Sequence, residues 1–302
     1  MVLFVYWLDR YEKEPLLLLL AAFFWGVIVA FGGAFILNTI FNIGMFVFTN
    51  DENVALLSTI TLSAPFFEEG LKGLALLIVM LAFRKEFDSV LDGIIYAGMV
   101  ALGFAASENI LYMLDRGFSA GGWPGLFDVA WTRLIVIAWA HPFFTSFTGI
   151  GLAIARLNKN ILIKIFAILG GFGTAVFVHF FHNSLAIFTA GWVGTLSDWF
   201  GWAAMGLFII WMISHERNIV RRQLQEEVAC GLISQAQYQK AHSPWNMTMA
   251  GLSGKATSRF YQVCGELSHK KEQLAKLSNE SGNAVIVESL RAELASLAPQ
   301  AK

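Results

Sequence analysis

Charge is what this chain has least of. Only 14% of its 302 residues are Asp, Glu, Lys or Arg, against about a quarter in a soluble domain. That shortage excludes an ordinary water-soluble enzyme. The formal net charge is −1, so no excess of one sign draws the chain to nucleic acid. There are two cysteines, Cys230 and Cys264. They come after the last long apolar run and lack the spacing of a cysteine metal site. A reduced state is expected for both, on the predicted cytoplasmic side. No serine stands in a recognisable nucleophile arrangement, and no cysteine lies within the apolar runs, which disfavours covalent catalysis. No His-Glu-x-x-His segment is present, and no internal repeat.

Apolar residues are abundant, at 56%, with a mean hydropathy of +0.59. Runs long enough to cross a bilayer, about 20 residues each, fall near 15–41, 54–83, 90–114, 129–155, 161–190 and 196–214. The fold expected is all-α: a polytopic transmembrane bundle of about six spans. The apolar start "MVLFVYW" is too short to span and has no basic n-region or small-residue cleavage site. It is read as interfacial or as the stub of one more helix lost upstream, in which case the N-terminus would lie outside. Arg10, Lys13, Arg84, Lys85, Arg156, Lys159, Lys164, Arg217, Arg221 and Arg222 sort to one side. Arg116, Arg133, Asp51, Glu52, Asp115, Asp128 and Asp198 sort to the other. The positive-inside rule then places both termini in the cytoplasm, with 42–53, 115–128 and 191–195 as outer loops. Residues 1–214 form the membrane domain. Residues 215–302 form a polar helical tail, with breaks at Gly231 and "NESGN", and no catalytic constellation.

The stretch "PFFEEGLKG", residues 65–73, conflicts with its apolar surroundings. A charge at mid-bilayer costs roughly 2.5–3.5 kcal/mol on insertion scales, so intramembrane charges point to function. The second run holds Glu68, Glu69 and Lys72; the third Asp92 and Glu108; the fourth His141; the fifth His179, His182 and Asn183. Glu68 and Lys72 share a helix face, as do His179 and Asn183, and Phe104 and Glu108. Lys72 can neutralise one carboxylate and leave its neighbour less stabilised. By rise per residue, Glu68, His141 and His179 lie roughly 15–20 Å in from the outer ends of their runs and Glu108 roughly 10 Å. Pro65 and Pro142 each remove a backbone donor and favour a kink. Asp92 reads as a helix-end group, Arg133 as a snorkelling side chain, and His182 as packing. Asn109 and Tyr112 read as interhelical hydrogen-bonding groups.

Three segments occur in order on separate runs: "EEGLK", "DGIIYAGMVALGFAASENILY" and "HFFHN". Together with "LDRYEKEP" they resemble the PrsW family of intramembrane proteases over residues 8–214. That family is related to the CAAX prenyl proteases and bacteriocin-processing enzymes. The resemblance implies that Glu68 activates a water, with Glu69 as the second carboxylate and Lys72 closing the motif. It implies that His179 and Asn183 stabilise an oxyanion, and that His141 matches a histidine of PrsW-like sequences. Glu108 stands where the prenyl proteases have histidine. Phe104 and Asn109 belong to the same segment, in support of the site. The implied substrates are membrane-anchored proteins, anti-sigma factors among them, cut in a bacterial inner membrane. Partners are therefore the lipid bilayer and a membrane-anchored substrate, with no nucleic acid.

Peptide hydrolysis requires an activated water and stabilisation of the oxyanion. Glu68, Glu108, His141 and His179 are hard or borderline ligands able to hold Zn²⁺. A metal-free glutamate mechanism and a metal-dependent one both remain open on the residues. An ion- or proton-coupled transporter is the alternative, since buried Glu and His also build proton relays. A non-catalytic membrane scaffold is a third reading.

Overall fold

A computed structural model describes residues 1–8, 13–189, 191–250, 253–277 and 282–301. Arg10, the centre of "LDRYEKEP" and most of "NESGN" lie outside the described residues. Among those described, every regular element is helical. The chain groups into two compact units: Met1–Val2, Pro15–Arg156 and Asn160–Gly206 in one, and Leu3–Glu14, Leu157–Lys159 and Leu207–Lys302 in the other.

In chain order the helices are α1 (Val2–Leu8), α2 (Leu16–Phe24), α3 (Phe31–Thr49), α4 (Glu52–Ser58), α5 (Ala64–Ala82), α6 (Val90–Tyr112), α7 (Ser119–Trp131), α8 (Ala140–Arg156), α9 (Ile161–Phe188) and α10 (Gly191–Gln223). Wider π turns join several of them end to end: Trp25–Ala30, Thr59–Ser63, Met113–Phe118 and Thr132–Val136. Among the described residues, four stretches are long and apolar enough to cross a membrane: Leu16–Thr49, Val90–Arg156, Ile161–Phe188 and Trp192–Ala229. Within Val90–Arg156 the chain runs out along α6 and returns along α8. The run near 54–83 is helical too, but Glu68, Glu69 and Lys72 raise its charge content. All three are buried in protein, so lipid never meets them.

α6 is the centre of the first unit, with almost every residue from Leu91 to Ala105 buried. Small residues bring its neighbours close. A Cβ added at Gly93 would strike the backbone of Gly149, and one at Gly149 the backbone of Gly93. Neither position of this α6–α8 crossing admits a larger residue without movement, the small-residue contact expected of membrane helices. Asp92 ends the helix as expected: its carboxylate accepts from Ser89 N while Ser89 Oγ accepts from Asp92 N.

The expected outer loops are mostly helix. α3 continues to Thr49, and the reversal takes only Asn50 and Asp51. Asn50 adopts the left-handed C-cap conformation, and Asp51 caps α4 by accepting from Asn53 N at 2.8 Å. Residues 115–128 are helical about a reversal at Gly122, whose φ of +62° suits glycine. The fourth run does not form one span. It breaks at 137–139, and α8 begins at Ala140. Pro142 thus lies in the first turn of α8, where its missing N–H costs little, and produces no kink.

The second unit contains α11 (Gln225–Ala229), α12 (Gln235–Ala241), α13 (Pro244–Ala250), α14 (Lys255–Leu277) and α15 (Asn283–Leu297). The break at Gly231 is present, with a φ of +74°. This polar tail has its own core, in which Leu224, Ile233, Phe260, Val263, Leu267 and Leu294 are buried.

Candidate functional site

The charged residues of α5 meet α6, α8 and α9 beside a cavity of about 410 Å³ in the first unit. Neighbouring positions on a helix point about 100° apart, and this separates the adjacent carboxylates. Glu69 turns into the helix packing and is fully buried, whereas Glu68 lines the cavity.

Glu69 is fully partnered. Its Oε1 accepts from Lys72 Nζ at 2.8 Å and faces His179 Nδ1 at 3.1 Å. Its Oε2 accepts from Thr145 Oγ1 at 2.8 Å. A carboxylate only accepts, so His179 carries its proton on Nδ1. The lone pair of His179 Nε2 is then free, 3.9 Å from Glu68 Oε2. Glu68 Oε2 is itself buried with no hydrogen-bond partner. Two acceptors therefore face each other, with the Lys72 ammonium 3.6 Å from the carboxylate oxygen, an ion-pair contact longer than a hydrogen bond.

Lys72 is the hub of the cluster. Besides Glu69, its ammonium stands 3.6 Å from Glu68 Oε2, 3.1 Å from His141 Nδ1 and 3.9 Å above the Phe104 ring. Lysine only donates, so His141 Nδ1 accepts and Nε2–H points to Glu108 Oε2 at 2.9 Å. Arg133 also donates to Glu108 and reaches Asn109 Oδ1 at 2.6 Å through Nε. Its guanidinium lies 4.1 Å over the Tyr112 ring. Phe144 stacks on His179 with ring centroids 4.8 Å apart, which fixes the imidazole plane.

Glu68, Glu69, Lys72, Phe104, Glu108, Asn109, His141, His179 and Asn183 gather here, some in unexpected surroundings, whereas Asp92 stays apart in the cap of α6. Arg133 does not snorkel outward; it turns inward onto Glu108 and Asn109 because the chain reverses at Gly122. His141 lies at the start of a helix, not deep within one, and Glu108 is in the same layer as His141. His182 is no mere packing residue: its Nδ1 binds Asp198 at 2.9 Å, and the Asp198 side chain is buried. Asn183 lines the cavity, but its amide nitrogen donates to Ile60 O at 2.8 Å. Sequence reasoning missed Thr145, although it lies four residues after His141 on one face of α8, a spacing that could have revealed it.

Glu68, His141 and His179 each offer a ligand atom within 4.8 Å of the others. An orphaned carboxylate oxygen facing an unprotonated imidazole nitrogen suits a divalent metal. His141 is engaged at both ring nitrogens and must release Lys72 or Glu108 to join that set. Glu108 stands outside the group, held by Arg133 and His141.

Comparison with known proteins gives the family. A profile described as PrsW family intramembrane metalloprotease matches residues 14–214. "Protease PrsW" of Bacillus subtilis (strain 168) is 36% identical over 159 residues, 52% of this chain and 64% of that protein. "Protease PrsW" of Geobacillus kaustophilus (strain HTA426) is 32% identical over 146 residues, 48% of this chain and 57% of that protein. "Protease PrsW" of Clostridioides difficile (strain 630) is 29% identical over 152 residues, 50% and 60% respectively. The chain thus spans about three-fifths of the length of the curated relatives it matches. No solved structure matches it. With the profile covering two-thirds of the chain, this polytopic membrane protein belongs to the PrsW family of intramembrane metalloproteases.

Proposed function

We propose that the chain is an intramembrane endopeptidase that hydrolyses a peptide bond of a membrane-anchored protein with water activated at Glu68. The observation that carries this reading is the pair of unpartnered electron-pair donors, Glu68 Oε2 and His179 Nε2, 3.9 Å apart beside the cavity. His141, His179 and Oε2 of Glu68 would hold a divalent metal, Zn²⁺ being the ion this donor set suits, and the other oxygen of Glu68 would take the proton of water. Such an ion, when bound, supplies a Lewis acid and lowers the pKa of a bound water.

The chain's own residues do the rest. Glu69 keeps the proton on His179 Nδ1 and so keeps Nε2 available, the role of a carboxylate that orients a metal-binding imidazole. Lys72 and Thr145 hold Glu69 in place. Glu68 removes a proton from water, the water oxygen adds to the scissile carbonyl carbon, and Glu68 returns the proton to the leaving amine nitrogen as the C–N bond breaks. Arg133 and His141 fix Glu108. Phe104 packs beneath the Lys72 ammonium and beside His141, with ring centroids 5.1 Å apart. Of the two oxyanion donors the resemblance implies, His179 offers a lone pair at Nε2 in this tautomer, and Asn183 has an amide hydrogen committed to Ile60.

The substrate class is single-span membrane proteins, anti-sigma-type factors included, cut in a bacterial inner membrane. Residues 215–302 form a cytoplasmic appendage. The test is cleavage of single-span reporter peptides by the purified chain in liposomes, with and without a strong chelator. Wild type should cleave, chelator should stop it, and added Zn²⁺ should restore it. Glu68→Gln should be inert while remaining folded; a fully active Glu68→Gln protein would sink the proposal.

A further inference from the structure

One backbone carbonyl beside the site is left without a helical donor, and a side chain from another helix fills the gap. In the π turn Thr59–Ser63, Ala64 N–H bonds Thr59 O, five residues back. The next bond in that register would run from residue 65 to Ile60 O. Residue 65 is proline and has no N–H. Asn183 Nδ2 donates to Ile60 O at 2.8 Å in its place. Ile60 O is thus left without a helical donor, because the π turn sets it opposite Pro65.

We propose that Asn183 is a positioning residue. Its amide replaces the backbone donor that Pro65 lacks, holds the π turn, and so fixes the face of α5 on which Glu68 is presented. A π turn adds one residue to the helix, which rotates the next segment by about 100°. If the turn relaxes to an α register, Glu68 rotates by that amount relative to α4. The turn is tethered elsewhere too: Asn42 Nδ2 donates to Thr59 Oγ1 at 3.1 Å, and Ser63 Oγ donates to Asn38 Oδ1 at 2.7 Å. Those two bonds join side chains; Asn183 alone among these three residues satisfies the backbone. Asn183 also lies four residues from His179 on one face of α9. That face therefore carries both the imidazole that faces Glu68 and the amide that holds the turn leading to it.

The structural half of the proposal stands by itself; its effect on cleavage rests on the protease reading. The test is a double-mutant cycle on the full chain: wild type, Asn183→Ala, Pro65→Ala and the double variant. Thermal unfolding in detergent is the first readout and reporter cleavage the second. Asn183→Ala should lower Tm and reduce kcat by about ten- to a hundred-fold, as misplaced catalytic groups do, with KM little changed. Pro65→Ala returns an N–H to position 65. In that background Asn183→Ala should change neither Tm nor kcat appreciably. Equal losses in both backgrounds would overturn the proposal and place Asn183 on the substrate oxyanion instead. If Asn183→Ala alone does not fold, recovery of folding by Pro65→Ala supports the proposal and failure to recover overturns it. The melting cycle needs no substrate. It decides the backbone role even if wild type cleaves nothing, a result that would count against the protease reading alone.

Discussion

Thr145→Val is the smallest informative perturbation of the site. Valine nearly preserves the volume and removes one hydroxyl. Thr145 and Glu69 are both fully buried, and Thr145 is the donor to Glu69 Oε2. The other two partners of that carboxylate, Lys72 and His179, both meet Oε1. The substitution therefore leaves one buried carboxylate oxygen with no donor among the described residues. A hydrogen bond to a charged group contributes about 1.5–3 kcal/mol. Glu69 can recover part of this only by rotating, which moves the acceptor that holds His179 Nδ1–H. If the whole loss falls on the transition state, kcat/KM declines about 10- to 150-fold, at 1.36 kcal/mol per tenfold. The assay is reporter cleavage at matched folded fraction, with Thr145→Ser as control. Serine keeps the hydroxyl and should stay within a few-fold of wild type. A Thr145→Val protein cleaving within twofold of wild type would refute the claim that Glu69 acts through a fully saturated hydrogen-bond set.

The tail gives two further predictions. Glu227 is fully buried and bridges Lys271, at 2.8 Å, and Arg291, at 3.0 Å. Glu227→Ala removes the buried carboxylate while Lys271 and Arg291 keep Glu226, at 2.9 and 2.7 Å, and should destabilise the second unit by about 1.5–3 kcal/mol, read as faster proteolysis of the tail in the full chain. Cys264 is buried and Cys230 exposed, and burial pushes the Cys264 thiol well above its ordinary range. A maleimide at neutral pH should therefore label Cys230 alone until the tail unfolds. The raised thiol means that the folded tail retains a proton the unfolded one gives up. Its stabilising contribution is full below the ordinary thiol range and is lost as pH rises above about 9, so labelling of Cys264 should accelerate there.

The long helices are legible in the sequence because they rest on one signal, sustained apolarity in a chain with few charges. The candidate cluster is legible through i, i+4 spacing and the expense of charge in lipid, which together single out Glu68, Glu69, Lys72, His179 and Asn183. The features that escape the sequence depend on reversals. Arg133 is 25 residues after Glu108, and its inward turn arises only once Gly122, close to the midpoint, folds the chain back. Depth counted from the end of an apolar run misplaces His141, because its helix begins one residue before it. Asp198 meets His182, 16 residues earlier, only because the chain turns between α9 and α10. In each case hydropathy locates the run and cannot tell where within it the chain turns.

The opposite duties of Glu68 and Glu69 arise from their adjacency on a helix. Neighbours about 100° apart point in different directions, and of these two only Glu68 lines the cavity. Glu69 points into the packing and receives three donors, from Lys72, His179 and Thr145. Glu68 points to open space, with Lys72 at ion-pair distance and an oxygen left over. Charge reinforces the division. Three carboxylates, Glu68, Glu69 and Glu108, share this layer with two permanent partners of opposite sign, Lys72 and Arg133. Glu108 takes Arg133 and Glu69 takes the short contact to Lys72. Glu68 is the carboxylate left to a proton or a metal, which is the condition a water-activating base requires. The cost of placing "EEGLK" within the membrane is offset by this pairing. The part that is not offset sits at the Glu68 oxygen that the proposal gives to the metal.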